Sequence, residues 1–77
     1  MNKRDSWVGR RVFVNRISGG AVSGFIDSRN DFALVLIGGV DPVEVTEMTD
    51  TGLTSHALAG PVAIPLVNID FIQDAGQ

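Results

Sequence analysis

Cysteine is absent from the 77-residue chain, which excludes disulfide staples. With His56 as the single histidine, the usual four-ligand zinc site is excluded as well. A domain this small seldom draws more than about a few kcal/mol from its own core, and natural ones add disulfides, a metal or a partner subunit. The first two are missing here, yet 44% of the residues are hydrophobic, more than so small a body easily hides from water. Self-association is therefore expected.

Basic residues are also missing from most of the chain. All six lie at or before Arg29, opposed there only by Asp5 and Asp27, which leaves +4; from Asn30 onward there are seven acids and no lysine or arginine, hence −7. The net charge of −3 on its own disfavours a nucleic-acid binder, but the partition confines any contact with a polyanion to the first 29 residues.

The parts of an active site are scarce. A Ser-His-Asp triad would need His56, whose setting Thr54-Ser55-His56-Ala57 has no nucleophile-elbow glycines. Glu44 and Glu47, three apart on a strand, point to opposite faces. Gly19-Gly20 and Gly38-Gly39 lack the Lys-Ser/Thr of a phosphate loop and read as turns. The expectation is a protein that is not an enzyme and takes no cofactor, metal or small-molecule substrate. Met1 to Gly9 lacks the apolar stretch of a secretory signal, and the longest uncharged run, Thr51 to Ile69, contains Pro61, Pro65 and two glycines and would not cross a bilayer as a helix. A soluble, cytoplasmic protein without membrane contact is expected.

What is present favours strands. Valine and isoleucine number 16, against 5 leucines, 2 glutamates and 1 lysine, and no long stretch has helical periodicity. Strand one is read over Arg10 to Ile17, followed by a Gly19-Gly20 hairpin turn. Strand two runs from Ala21 to Ser28, with Gly24 marking a bend. Phe32 to Ile37, apolar on both faces, is a central strand, and Val43 to Met48 alternates again. Pro61 to Pro65 and Ile69 to Ile72 are short strands at an open rim. The whole chain, residues 1–77, is one domain, read as a five-stranded, strongly bent SH3-like barrel with room for a short N-terminal helix. Thr49 to Gly60 is assigned no element.

Two groups of residues suit nucleic acid. Arg10, Arg11 and Arg16 sit on or beside strand one with Lys3 and Arg4 upstream, and guanidinium groups match phosphate; the other reading pairs them with acids of the second half. Arg29-Asn30-Asp31-Phe32 offers a guanidinium, an amide and an aromatic ring on one turn, a set able to stack a single-stranded base and bond its edge, unless Phe32 belongs to the core.

In the order of these features the chain resembles the Sm/LSm (Hfq-like) family. Gly9, Val12, Val14, Gly19 and Gly24 stand at the spacing of that family's first motif, and Ile64-Pro65-Leu66-Val67-Asn68-Ile69-Asp70-Phe71-Ile72 resembles its second; the resemblance, over Gly9 to Ile37 and Ile64 to Ile72, covers about half the chain. The departures are Ala33-Leu34 where the family's base-contacting asparagine falls and Pro65-Leu66 in place of its Arg-Gly. The resemblance implies a homo-oligomeric ring in which Pro61 to Pro65 of one subunit pairs with Ile69 to Ile72 of the next, through Val62, Ile64, Ile69, Phe71 and Ile72. It also implies single-stranded RNA, or DNA, held by Arg29, Asn30, Asp31, Phe32 and Asn68 near the pore and by Arg4, Arg10, Arg11 and Arg16 on a face. The rival expectation is an SH3-like structural or protein-interaction module, such as an assembly or virion subunit, that binds no nucleic acid.

Overall fold

A computed structural model describes residues 7–75. The chain folds as an antiparallel sheet of seven strands: β1 (Arg11–Arg16), β2 (Ala21–Arg29), β3 (Ala33–Ile37), β4 (Val43–Thr49), β5 (Gly52–Leu58), β6 (Val62–Pro65) and β7 (Ile69–Asp74), with a 3-10 turn at Leu66–Asn68. The fold is all-β, as the Val/Ile-rich composition implies. The short N-terminal helix expected to carry Trp7 and Val8 is a turn at those two residues, and what precedes Trp7 lies outside the described residues. Trp7 and Val8 enter β1 through a turn in which Arg10 N–H donates to the Trp7 carbonyl at 3.1 Å.

The expected five-stranded barrel is corrected to seven strands in a sheet that does not close. Two interruptions account for the count. Gly38 to Pro42 separates β3 from β4, and Ala59 to Pro61 separates β5 from β6; proline cannot donate to a ladder. The register shows how these pieces align. β2 pairs through Phe25 to Arg29 with β3 and through Ala21 to Ser23 with β4. In turn β3 pairs with β6 and β4 with β5. Seven strands thus follow five paths, in the order β5/β6, β4/β3, β2, β1, β7. The outer sides of β5/β6 and of β7 have no partner strand among the described residues, so the sheet has two open edges.

Strand β5 lies in the segment to which the sequence reading assigned nothing. It pairs with β4 along its whole length, from Val43 opposite Leu58 to Thr49 opposite Gly52. None of its residues is buried, so it carries no in-out alternation to betray it.

Val12 and Val14 of β1, Val22 and Ile26 of β2, Leu34 and Leu36 of β3, Val43 and Val45 of β4 and Ile64 of β6 form the core. Their spacing is the period-2 pattern of strands with one face covered. Gly24 stands where β2 changes partner from β4 to β3. A Cβ there would come within 3.0 Å of the Ile37 carbonyl oxygen and 3.3 Å of Val43 Cγ2, so the change of partner needs a residue without one.

Candidate nucleic-acid interface

The β2–β3 loop begins at Arg29, paired with Leu34 across the loop. Asn30 then shapes it as an Asx turn: its side-chain Oδ1 accepts from the Phe32 N–H at 2.7 Å and the Ala33 N–H at 2.8 Å, while its own N–H donates to the Ala33 carbonyl at 3.0 Å. That leaves the Phe32 ring no route into the core. It is 82% exposed, which decides between the two sequence readings against a core role. Arg29, Asn30 and Asp31 are exposed beside it.

The 3-10 turn joins this loop to the far end of β1. Leu66 N–H donates to the Phe32 carbonyl at 2.9 Å, and Ile17 N–H donates to the Asn68 carbonyl at 2.8 Å. The Asn68 side chain is engaged on both ends, accepting from the Ser18 N–H at 3.0 Å and donating to Ser18 Oγ at 3.1 Å. Asn68, expected to touch nucleic acid, therefore ties the β1–β2 turn to the 3-10 turn. The result is one end of the molecule carrying Arg29, the loop amides and three exposed apolar side chains, Phe32, Val67 and Ile17.

The arginines upstream do not share a face. Arg4 lies outside the described residues. Arg10 bonds the Asp74 carboxylate of β7 and stands over the Trp7 ring, 5.6 Å from its centroid. Both members of this ion pair are well exposed, so it is worth at most about 1 kcal/mol. Arg11 projects from the opposite face of β1 beside its cross-strand neighbour Phe25. Arg16 is half-buried, with a guanidinium nitrogen close to Gly20 and to the β4 backbone at Thr46, and its Nε is buried without a hydrogen-bond partner.

The expected interface residues also divide. Ile64 is buried in this chain's own core, and Val62 and Ile69 pack against it. Phe71, 50% exposed, and Ile72, 36% exposed, stand open on the edge strand β7. His56 lies on exposed β5 facing Glu47, Nε2 to Oε1 3.8 Å. Among the described residues no helix is long and apolar enough to cross a membrane, and no cluster of three or more metal-ligating side chains forms. The sequence reading missed the Ser18–Asn68 tie and the exposed Val67. Serine and asparagine 50 residues apart announce nothing until the fold joins them.

Comparison of the chain with family models, with curated proteins and with solved structures gives no match in any of the three.

Proposed function

We propose that the chain is a non-catalytic, homo-oligomeric Sm-like protein that binds single-stranded RNA, with single-stranded DNA the alternative ligand, and acts in RNA processing or regulation. The observation that carries this reading is Phe32, an aromatic ring held out in solvent by the Asn30 turn with Arg29 next to it. A solvated phenylalanine on a fixed turn serves no packing purpose, whereas stacking on a base buries both faces of the contact. Assembly is supported by two open edges on one sheet: β6 of one copy pairing with β7 of the next generates a head-to-tail contact that closes into a ring. The test is a titration of labelled oligonucleotides at several salt concentrations. Binding that weakens as salt rises is expected, and no binding at low salt overturns the reading.

The second reading, an SH3-like interaction or assembly module without nucleic acid, draws on the Arg10–Asp74 bridge, which joins the basic half of the chain to the acidic half. If such pairs also join subunits, assembly weakens in high salt with no nucleic acid present. Strand pairing and apolar burial are far less sensitive to salt, so sedimentation at low and high salt separates the two.

A further inference from the structure

On the face of β1 and β2 turned away from the core, a pocket of about 140 Å³ opens between the strands and the loop that separates β3 from β4. Its lining includes Arg11, Ser23, Phe25, Asp41 and Pro42. This wall is held in place. The Phe25 ring lies so close to Gly39 that a Cβ there would come within 2.7 Å of its Cε2, and Gly39 N–H donates to the Asp41 carbonyl at 3.0 Å, closing the loop under the pocket. Arg11 and Asp41 both line the cavity, yet they do not bridge each other, and neither side chain has an ion-pair or hydrogen-bond partner among the described residues. Two opposite charges sharing one small pocket without meeting leave a gap between a double donor and a double acceptor, with an aromatic wall beside it.

We propose that this pocket binds a guanine base of single-stranded RNA, an inference that rests on the RNA-binding reading above. Guanine is the base whose rim carries two adjacent acceptors, O6 and N7, next to two adjacent donors, N1–H and the N2 amino group. Arginine takes the first pair bidentately, and a carboxylate takes the second. Adenine presents a single amino group beside an acceptor N1, which faces the Asp41 carboxylate as a repulsive lone pair. Cytosine and uracil are smaller and offer no such pair of edges. Phe25 supplies the apolar surface against which the base is desolvated. The site is distinct from Phe32: Arg11 and Phe25 face away from the core, and no backbone hydrogen bond among the described residues joins the loop at Asp41 to the 3-10 turn that organises the Phe32 end.

The test uses two probes on the intact protein. Guanosine and adenosine monophosphate are titrated while backbone amide resonances are followed by NMR. A labelled uridine nonamer with one central guanosine, inosine or adenosine is titrated by fluorescence anisotropy. Guanosine monophosphate is expected to shift the amides of Arg11, Phe25, Val40 and Asp41, adenosine monophosphate much less. The nonamers are expected to rank guanosine over inosine, which lacks the N2 donor, over adenosine, with about tenfold between the ends, the size of a bidentate contact. Asp41→Asn, at an exposed side chain, should abolish that ranking. Nonamers that bind equally well whatever the central base overturn the guanine pocket and leave the RNA reading standing. Guanosine monophosphate shifts at these amides with no oligonucleotide binding overturn the RNA reading and keep the pocket. Silence from both probes overturns both.

Discussion

Replacing Phe32 with alanine separates a binding role from a packing role, because the two make opposite demands on the same ring. With 82% of the residue exposed, only about a fifth of its surface is covered by the protein. A phenylalanine side chain presents about 200 Å², so truncation uncovers roughly 40 Å², worth about 1 kcal/mol at about 25 cal/mol per Å². The two hydrogen bonds to Asn30 Oδ1 come from the backbone N–H groups of Phe32 and Ala33, so the turn survives the change. Stability to urea should therefore fall by no more than about 1 kcal/mol.

Affinity should fall much further. Removing a stacking platform costs about 1–3 kcal/mol per base, which is about a 5- to 150-fold weakening of single-stranded RNA binding. Phe32→Leu, which keeps apolar area and loses the flat ring, should lie between. The measurements are anisotropy with a uridine nonamer and urea denaturation on the same preparations. Unchanged affinity in the alanine variant, or a stability loss of several kcal/mol accompanying any loss of affinity, refutes the reasoning.

Three further outcomes follow from the fold. Gly19 and Gly20 both have positive φ, 106° and 80°, but a Cβ at Gly20 would lie 2.1 Å from the Thr46 carbonyl oxygen while nothing lies within 4 Å of one at Gly19. Gly20→Ala should exceed Gly19→Ala in destabilisation by about 1–3 kcal/mol in urea melts, the cost of overpacking added to a shared backbone cost, and equal effects would refute the clash. Asn68→Ala removes two side-chain bonds to Ser18 and should cost about 1–2 kcal/mol, with faster hydrogen exchange at the Ser18 amide as its local signature. Ile64→Asp puts a charge into the core and should unfold the chain, whereas Phe71→Asp on the open β7 edge should yield folded monomers by sedimentation; an assembled Phe71→Asp protein places the interface elsewhere.

The residues that alternate between core and solvent were legible because burial imposes a period on them. Val12, Val14, Val22, Ile26, Val43 and Val45 are all inward on strands read from that period, whereas Leu34 and Leu36 are inward on a strand read as apolar on both faces, which buries one face only. Gly24, read as a bend, is instead the point where β2 changes partner under the Ile37 carbonyl, and the register shift of β2 lies between Ile26 and Ser28. β5 was not legible, because a strand exposed on both faces owes its form to its partner β4 and not to its own side chains. The arginines could be counted but not placed. Parity along β1 sends Arg10 and Arg16 to one face and Arg11 to the other, and the same parity could have been read from Val12 and Val14. What parity alone does not give is that Asp74, 64 residues away, reaches Arg10.

The charge partition, followed into the fold, ties the proposed RNA binding to the proposed assembly. Arg10 is occupied by Asp74, and Arg16 is half-buried beneath the β4 backbone. Arg11 and Arg29 remain as the exposed cations without ion-pair partners among the described residues. With Arg11 assigned to a base, the one phosphate left to Arg29 corresponds to a slope of roughly −0.7 in log affinity against log salt for a single strand, Lys3 and Arg4 outside the described residues aside, a weak hold for a protein whose net charge is −3. The proposed ring would repeat the Arg29–Phe32 loop around one axis, so a strand that left one subunit would still be held by its neighbours, and the effective concentration of each further contact would replace the charge that each subunit lacks. On this account the edge strands and the exposed ring are parts of one device. A monomer made by Phe71→Asp, with its Phe32 loop intact, should lose RNA affinity by at least as much as Phe32→Ala does in the assembled protein.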